Sequence, residues 1–350
     1  MMRNVVFIMV LFLLVSTCLS DVFFVPLKFA SIQAAIDVAN QGDIVMVSPG
    51  IYFENIDFKG KPITVTSTNI NDPSSTVIDG GGKGSVVRFL KQETMGSIIQ
   101  GFTITNGNMR GPGVGGGKGG GGGIYCDTNA SPIIRNNIIC ENTAEFNGGG
   151  IYCHNASPII SNNVISYNTT TSKQGSGGAG IFCVFKGCRG SIINNTIVEN
   201  ETVKVGGGIC LASGAIPIIK NNIIAFNLAS YTGGVFCDIE MPTFTFNNIF
   251  GNEKENFLEL PSPVGRNGNI SVDPMFSSLG DSDFHLQTTG NRWNGTEWVS
   301  DEIDSPCIDA GDPTMPVGGE CGNHMWIINM GAYGGTPQAS CRKPDTTPKD

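Results

Sequence analysis

The sequence predicts an all-β chain wound into a parallel β-helix, and three observations carry that prediction. The first is a glycine-rich phrase in five versions: Gly122-Gly123-Ile124-Tyr125-Cys126, Gly149-Gly150-Ile151-Tyr152-Cys153, Ala179-Gly180-Ile181-Phe182-Cys183, Gly207-Gly208-Ile209-Cys210-Leu211 and Gly233-Gly234-Val235-Phe236-Cys237. The second is its spacing. The Ile or Val positions lie 27, 30, 28 and 26 residues apart, as expected of one supersecondary unit stacked on itself. The third is another phrase that alternates with it. Ser-Pro-Ile-Ile-Arg-Asn-Asn-Ile-Ile at 131–139 recurs at 157–165, 191–198, 216–224 and 241–250, followed by Asn142, Asn168, Asn200, Asn227 and Asn252 in turn. Both phrases are short β-branched runs bounded by Gly, Asn and Pro, which read as strands. A coil of about 22–30 residues, its strands pairing in parallel with their equivalents about 4.8 Å away, accounts for all three.

Taken in order, residues 1–20 read as a signal peptide. Arg3 supplies the positive start, Val5 to Val15 is an apolar run too short to span a bilayer, and Cys18-Leu19-Ser20 precedes a cut before Asp21. A secreted or cell-surface protein is therefore expected. A lipid anchor on Cys18 is the less favoured variant, because Thr17 is an unusual residue before a lipidated Cys. Residues 21–43 form an N-terminal cap with one helix, opened by Ser31 and marked by Ile32, Ala35, Ile36 and Ala39 at helical spacing. The coils span 44–253, with early strands at 44–47, 63–66, 86–89 and 102–105. Residues 254–341 hold the final coil and an irregular C-terminal cap, and 342–350 read as a disordered tail. Caps are required because terminal coils expose unpaired edges.

Side-chain alternation assigns the faces. With Ile124 inward, Cys126, Cys153, Cys183, Leu211 and Cys237 form an inward column. Leu replaces Cys there in one copy, so the column reads as hydrophobic core with free thiols. Stacked Cβ atoms near 4.8 Å are also too far apart for a disulfide. The second Asn of each pair (Asn137, Asn163, Asn195, Asn222 and Asn248) is expected to form a hydrogen-bonded ladder. Outside the repeat, a disulfide among Cys307, Cys321 and Cys341 is open. The Gly-rich stretch 111–123 contains Lys118 without a following Ser or Thr, so it is not a phosphate-binding loop.

Composition excludes some partners. A net charge of −9 without a basic run is a poor match for nucleic acid or an anionic membrane surface. A monomer with no transmembrane span is expected.

The phrases resemble the secreted bacterial right-handed parallel β-helix proteins of the pectate-lyase-like superfamily. The tail Ser305-Pro306-Cys307-Ile308-Asp309-Ala310-Gly311-Asp312 followed by Gly331-Ala332-Tyr333 is similar to one group within it. The stretch from Ile32-Gln33-Ala34-Ala35-Ile36 through Gly50-Ile51-Tyr52-Phe53-Glu54-Asn55 to Ile78-Asp79-Gly80 resembles the start of pectinesterases. The resemblance implies the right-handed, single-stranded helix and carbohydrate as ligand. It does not imply one activity, since members include lyases, hydrolases, esterases, epimerases and proteins without a known reaction. The Gly-His-Gly turn of polygalacturonase-like hydrolases is absent, and so is the common pectate-lyase signature.

Two readings of function follow. One is a protein that binds polysaccharide or envelope glycan without an assignable catalytic site. The other is a polysaccharide lyase acting by β-elimination on a uronate glycan, with a Lys or Arg base and Ca²⁺ or a basic group on the carboxylate. The sharpest local candidates for ligand contact are Asp127 and His154, one coil apart, beside Tyr125, Tyr152 and Phe182. Alternation turns those rings outward, where a sugar would stack on them. The plain alternative is an aromatic stack that only stabilises its sheet. The acidic tail with Asp301, Glu302, Asp304, Asp309 and Asp312 is open to Ca²⁺, with a self-bonded turn as the favoured reading.

Overall fold

The computed structural model describes residues 20–111, 119–175, 177–259, 261–321 and 327–343. The signal-peptide reading, residues 112–118 of the Gly-rich stretch and 344–350 of the tail lie outside the described residues. No helix among the described residues is long and apolar enough to cross a membrane.

The chain is a parallel β-helix. One face is a nine-stranded ladder that starts at Val22–Val25 and Ile44–Val47 and runs through Ile133–Arg135 and Ile159–Ser161 to Phe244–Thr245. A second face of eight strands contains Ile138–Cys140, Val164–Ser166, Thr196–Val198 and Ile223–Ala225, and a third of eight contains Ile124–Cys126, Ile151–His154, Ile181–Val184 and Ile209–Ala212. A fourth, shorter ladder of five two-residue strands runs from Asn108–Met109 to Leu228–Ala229. All pairing within these four is parallel and in register; Ile124 pairs with Ile151, Ile151 with Ile181, and Ile181 with Ile209.

The inward column is as expected. Cys126, Cys153, Cys183, Leu211 and Cys237 are at most 2% exposed, and the four cysteines are free thiols. They share one core with Ile124, Ile134 and Ile139 and their equivalents. At the N-terminal end the helix Ile32–Val38 closes this core. Ser31 Oγ accepts from Ala34 N at 3.1 Å, and Ile32, Ala35 and Ile36 are buried against the first strands.

Two corners per coil need special chemistry. Between the first and second faces the chain turns sharply through a left-handed residue: Asn136, Asn162, Asn194 and Asn221 have φ of 53°, 55°, 52° and 56°. Asn tolerates this conformation better than most residues. The next Asn then points inward. Asn137, Asn163, Asn195, Asn222, Asn247 and Asn269 are joined amide to amide at 2.9–3.1 Å. Each inward amide also satisfies backbone; Asn195 Nδ2 donates to Ile160 O and Ile193 O, and its Oδ1 accepts from Asn163 N. A second ladder of the same kind runs Asn142, Asn168, Asn200, Asn227, Asn252 and Asn256 at 2.9–3.0 Å.

One rung differs from the sequence reading. Asn247, not Asn248, continues the first ladder. Strand register pairs Ile223 with Asn248, so Phe246 takes the left-handed corner at φ 54° and Asn248 moves outside. There its amide donates to Val272 O and contacts Cys307 Sγ.

The C-terminal segment also departs from expectation. Beyond closing the last coil, it returns along the flank of the helix as a strap. Two antiparallel pairs, Phe276–Ser278 with Asp283–Leu286 and Arg292–Trp293 with Trp298–Val299, precede it. The outward Asn of each corner then ties the strap down. Asn221 Oδ1 accepts from Asp312 N, Asn194 donates to Asn329 O, and Asn162 donates to Ala332 O and Gly334 O. Phe276, Phe284, Leu286, Ile308 and Met330 cover the outer side of Val164, Val198 and Ile223. Cys321 and Cys341 form a disulfide, while Cys307 is free and buried.

The acidic residues of this segment are used internally. Arg292 grips Asp301 through Nε at 2.8 Å and Nη2 at 2.9 Å. Asp304 accepts from Thr288 and Thr289, and Asp312 pairs with Lys220 at 2.6 Å. Asp309 lies within 3.8 Å of Arg342. These carboxylates therefore diverge onto separate partners.

Two outcomes are expected. Asn195→Ala removes an acceptor from two buried donors and leaves two carbonyls short of a donor, so it should cost about 3 kcal/mol or more, read as a lowered urea midpoint. A neutral shift would refute the ladder's structural role. The second concerns acid. Burial opposes ionisation of Asp283, Asp304 and Asp312, but hydrogen bonds to each carboxylate outweigh it, and Arg292 dominates at Asp301; all four lie below the ordinary 3.8. Depressed carboxyl pKa values stabilise the fold above the unfolded value, and the contribution is lost as pH falls through the lower folded values. The Asn ladders do not titrate. Hydrogen exchange at about pH 2.5 should therefore release the segment 276–343 before the coils; uniform loss of protection would count against this.

Candidate functional site

The structure brings Asp127 and His154 together. His154 Nδ1 lies 3.0 Å from Asp127 Oδ1, each side chain being about one-fifth exposed. This contact follows from register, since the Cys126–Cys153 pair places the next residues on the same edge. Asp127 also accepts from Thr128 N at 2.7 Å. Tyr125, Tyr152 and Phe182 stack as expected, with ring centroids 5.3 and 5.5 Å apart.

Those rings do not face solvent, which corrects the sequence reading. Tyr125, Tyr152 and Phe182 are 2%, 4% and 2% exposed and form a small outer core with Val184, Cys210 and Ala212. The glycine turn before each strand folds back over the outward side chain. A Cβ on Gly120 would lie 2.8 Å from the Tyr152 ring, and one on Gly148, at φ 62°, would lie 2.8 Å from Tyr152 Cβ. Only glycine lets backbone pass so close while adopting positive φ. Gly121, Gly148, Gly178 and Gly206, each one residue ahead of the repeated phrase and at positive φ, thus let the turn cover the outward side chain. Burial, followed by the Asp127 charge, pushes the Tyr125 hydroxyl pKa upward. The Asp127–His154 pair remains at the rim, where the nearby exposed ring is Phe185, edge-on to His154 with centroids 5.2 Å apart.

A different site stands out geometrically. Between the strap, the two C-terminal hairpins and the early coils lies a groove of about 420 Å³. Asn69, Asn71 and Asp72 form one wall with the corner residues Asn136 and Asn162. Asp281, Asp283, His285, Trp293 and Asn294 form the other, and Ala332, Tyr333 and Gln338 belong to the strap. Gln338 bridges to the early coils by donating to Asn71 O at 2.7 Å. The lining contains seven carboxamide-bearing residues and no Lys or Arg.

Its chemistry centres on the strand Asp283–Leu286. Alternation sends Phe284 and Leu286 into the outer core and leaves Asp283 and His285 on the other face. His285 Nδ1 lies 2.6 Å from Asp283 Oδ1, and Arg292 Nη1 lies 3.2 Å from Asp283 Oδ2. The imidazole stacks on Tyr333 at 3.7 Å. An ionised carboxylate only accepts, so Nδ1 carries the hydrogen toward Asp283. Nε2 is buried and has no partner among the described residues. A buried, unpartnered ring nitrogen beside a polar groove is positioned to meet a ligand hydroxyl.

Sequence reasoning gave Asp283 and His285 no role. The available signal was the period-two placement of Asp and His on one strand face. The groove itself is formed by residues far apart in the chain.

Comparisons with known proteins bear on these regions unequally. A family model described as "Disaggregatase related" matches residues 160–311, less than half of the chain. The match includes Asp283, His285 and Arg292 and excludes Asp127 and His154. A solved structure titled "Crystal structure of pectate lyase Pel9A" is similar over 89% of this chain and 96% of its own, with 14% sequence identity and a TM-score of 0.46. No curated protein matches this chain.

The covering role of glycine has a direct test. Gly148→Ala should cost about 1–3 kcal/mol through strain at positive φ, with a changed near-ultraviolet circular dichroism signal from the Tyr stack. The double change Asp127→Ala, His154→Ala should cost about 1 kcal/mol or less, as a partly exposed pair at the rim. A reversed ranking in urea denaturation would contradict the assignment.

Proposed function

We propose that this protein binds polysaccharide in the groove between its C-terminal strap and the corner of the helix, as a secreted or cell-surface module. The carrying observation is the groove's lining. The Asn69, Asn71 and Asn136 carboxamides supply donors and acceptors that match sugar hydroxyls, Trp293 offers a half-buried ring face, and His285 Nε2 offers a buried site for one hydrogen bond. The secreted setting rests on the 1–20 segment. The polysaccharide reading also draws on the resemblance of the repeat and tail phrases to the pectate-lyase-like superfamily.

Charge selects among glycans. Asp72, Asp281 and Asp283 face the groove without Lys or Arg among its lining residues. A uronate polymer carries the same sign and would need a bridging cation to enter. The groove therefore suits a neutral, hydroxyl-rich chain better than the acidic substrate of a β-eliminating lyase.

Affinity electrophoresis against neutral glucans, galactans and mannans, and against polygalacturonate and alginate with and without Ca²⁺, tests the proposal. Retention by a neutral polymer is expected. Trp293→Ala and His285→Ala should each weaken it about tenfold, or about 1.4 kcal/mol, while Asp127→Ala and His154→Ala leave it unchanged. Failure to retain any polymer would overturn the reading. Ca²⁺-dependent binding of polyuronate with release of an ultraviolet-absorbing unsaturated product would replace it with the lyase.

A further inference from the structure

One buried cluster is unexplained by stacking, by the groove or by the rim pair. The Sγ atoms of Cys153, Cys183 and Cys188 lie within 4.8 Å of one another, and all three residues are buried. Cys153 and Cys183 are neighbours in the inward column. Cys188 comes from the loop between the third and first faces.

The repeat shows that packing alone does not ask for a sulfur at position 188. Strand register aligns Ile133, Ile159, Ser191 and Ile218. Three residues before each of these stand Ala130, Ala156, Cys188 and Ala215. All four are at most 2% exposed, and Ala130, Cys188 and Ala215 make the same kind of turn bond, to Asp127 O, Phe185 O and Ala212 O. Alanine fills the slot in three coils. Cysteine occupies it in the remaining coil, where its sulfur meets those of Cys153 and Cys183. The column also accepts a non-sulfur residue one coil later, at Leu211. A disulfide would use two of the three sulfurs and leave the third without a reason.

We propose that Cys153, Cys183 and Cys188 form a three-sulfur site for a soft monovalent metal ion, Cu(I) in chemical class. Sulfur-only donors select soft ions. Bonds near 2.3 Å to three sulfurs in a plane set sulfur separations of about 4.0 Å, within reach of the observed spacing. A three-coordinate site suits Cu(I) better than Zn²⁺, which takes four ligands. The cluster has no carboxylate or imidazole to supply a fourth. Binding displaces thiol protons and involves no change of oxidation state.

The test is anaerobic titration of the reduced full chain with Cu(I) against a chromophoric Cu(I) chelator, both on native protein and on protein refolded with the ion present. Wild type is expected to hold one equivalent more than Cys188→Ala, with ultraviolet sulfur-to-copper charge-transfer absorption. Cys188→Ala installs the residue found in the other coils, so its circular dichroism and urea midpoint should match wild type. Cys140→Ser, outside the cluster, should keep the extra equivalent. The proposal fails if wild type and Cys188→Ala bind equally or if refolded wild type retains no Cu(I). It also fails if Zn²⁺ displaces Cu(I) at equal concentration, or if the purified protein carries Cys188 in a disulfide.

Discussion

The corner of each coil is the constraint on which the rest depends. A strand in a parallel stack satisfies its backbone through the coils on either side, but a sharp turn between two faces does not. Its peptide groups point along the axis into a dry interior, where an unpaired donor or acceptor is costly. Asparagine resolves this because its side chain is itself a peptide-like amide. Oδ1 takes the two donors from one neighbouring coil, and Nδ2 gives to backbone and to the next amide. Once the corner is fixed, strand register follows. With register fixed, Ile124, Ile151, Ile181, Ile209 and Val235 fall into one fully buried row.

The two asparagines of a pair divide the work. The inward one builds the ladder, and the outward one, held at positive φ, presents its amide to the exterior. On successive coils those outward amides form a row of anchor points along one edge. Asn162, Asn194 and Asn221 hold the strap by its main chain. The groove is a consequence, since the strap and hairpins follow this edge without filling the space beside residues 69–74. A requirement internal to the helix thus sets where a ligand-sized space opens on its surface.

How much of this is legible in sequence depends on whether the cause is local or repeated. The inward Ile and Cys rows and the Ser31 cap rest on periodicity and nearest neighbours, and they read correctly. The direction of the aromatic side chains also reads correctly, but their exposure does not. Burial of Tyr152 depends on the glycine turn folding back, which alternation along one strand does not encode. Asn248 misreads for a related reason, because adjacent asparagines leave two registers open and the choice falls to the pairing of Ile223. The strap has no periodicity. Asn162 and Gly334 are 172 residues apart, and their contact has no signature in either segment. The groove rests on such contacts, so nothing in the sequence joins Asp283 and His285 to a site.

In a stacked repeat, a residue that obeys the pattern is accounted for by its neighbours above and below. A residue that departs from it needs a separate cause. Leu211 in the cysteine column is explained by volume and burial, since any apolar side chain fills that row. Phe246 at a left-handed corner is explained by the register that carries Asn248 outward. Cys188 is different, because the slot it fills is satisfied by alanine in three other coils and its thiol meets two others. Asp283, His285 and Tyr333 stand outside the repeat altogether. Their contacts fix one another but leave Nε2 of His285 without a partner among the described residues. Regular stacking accounts for the stability of the tube, and these two departures mark where the molecule has chemistry that the tube does not require.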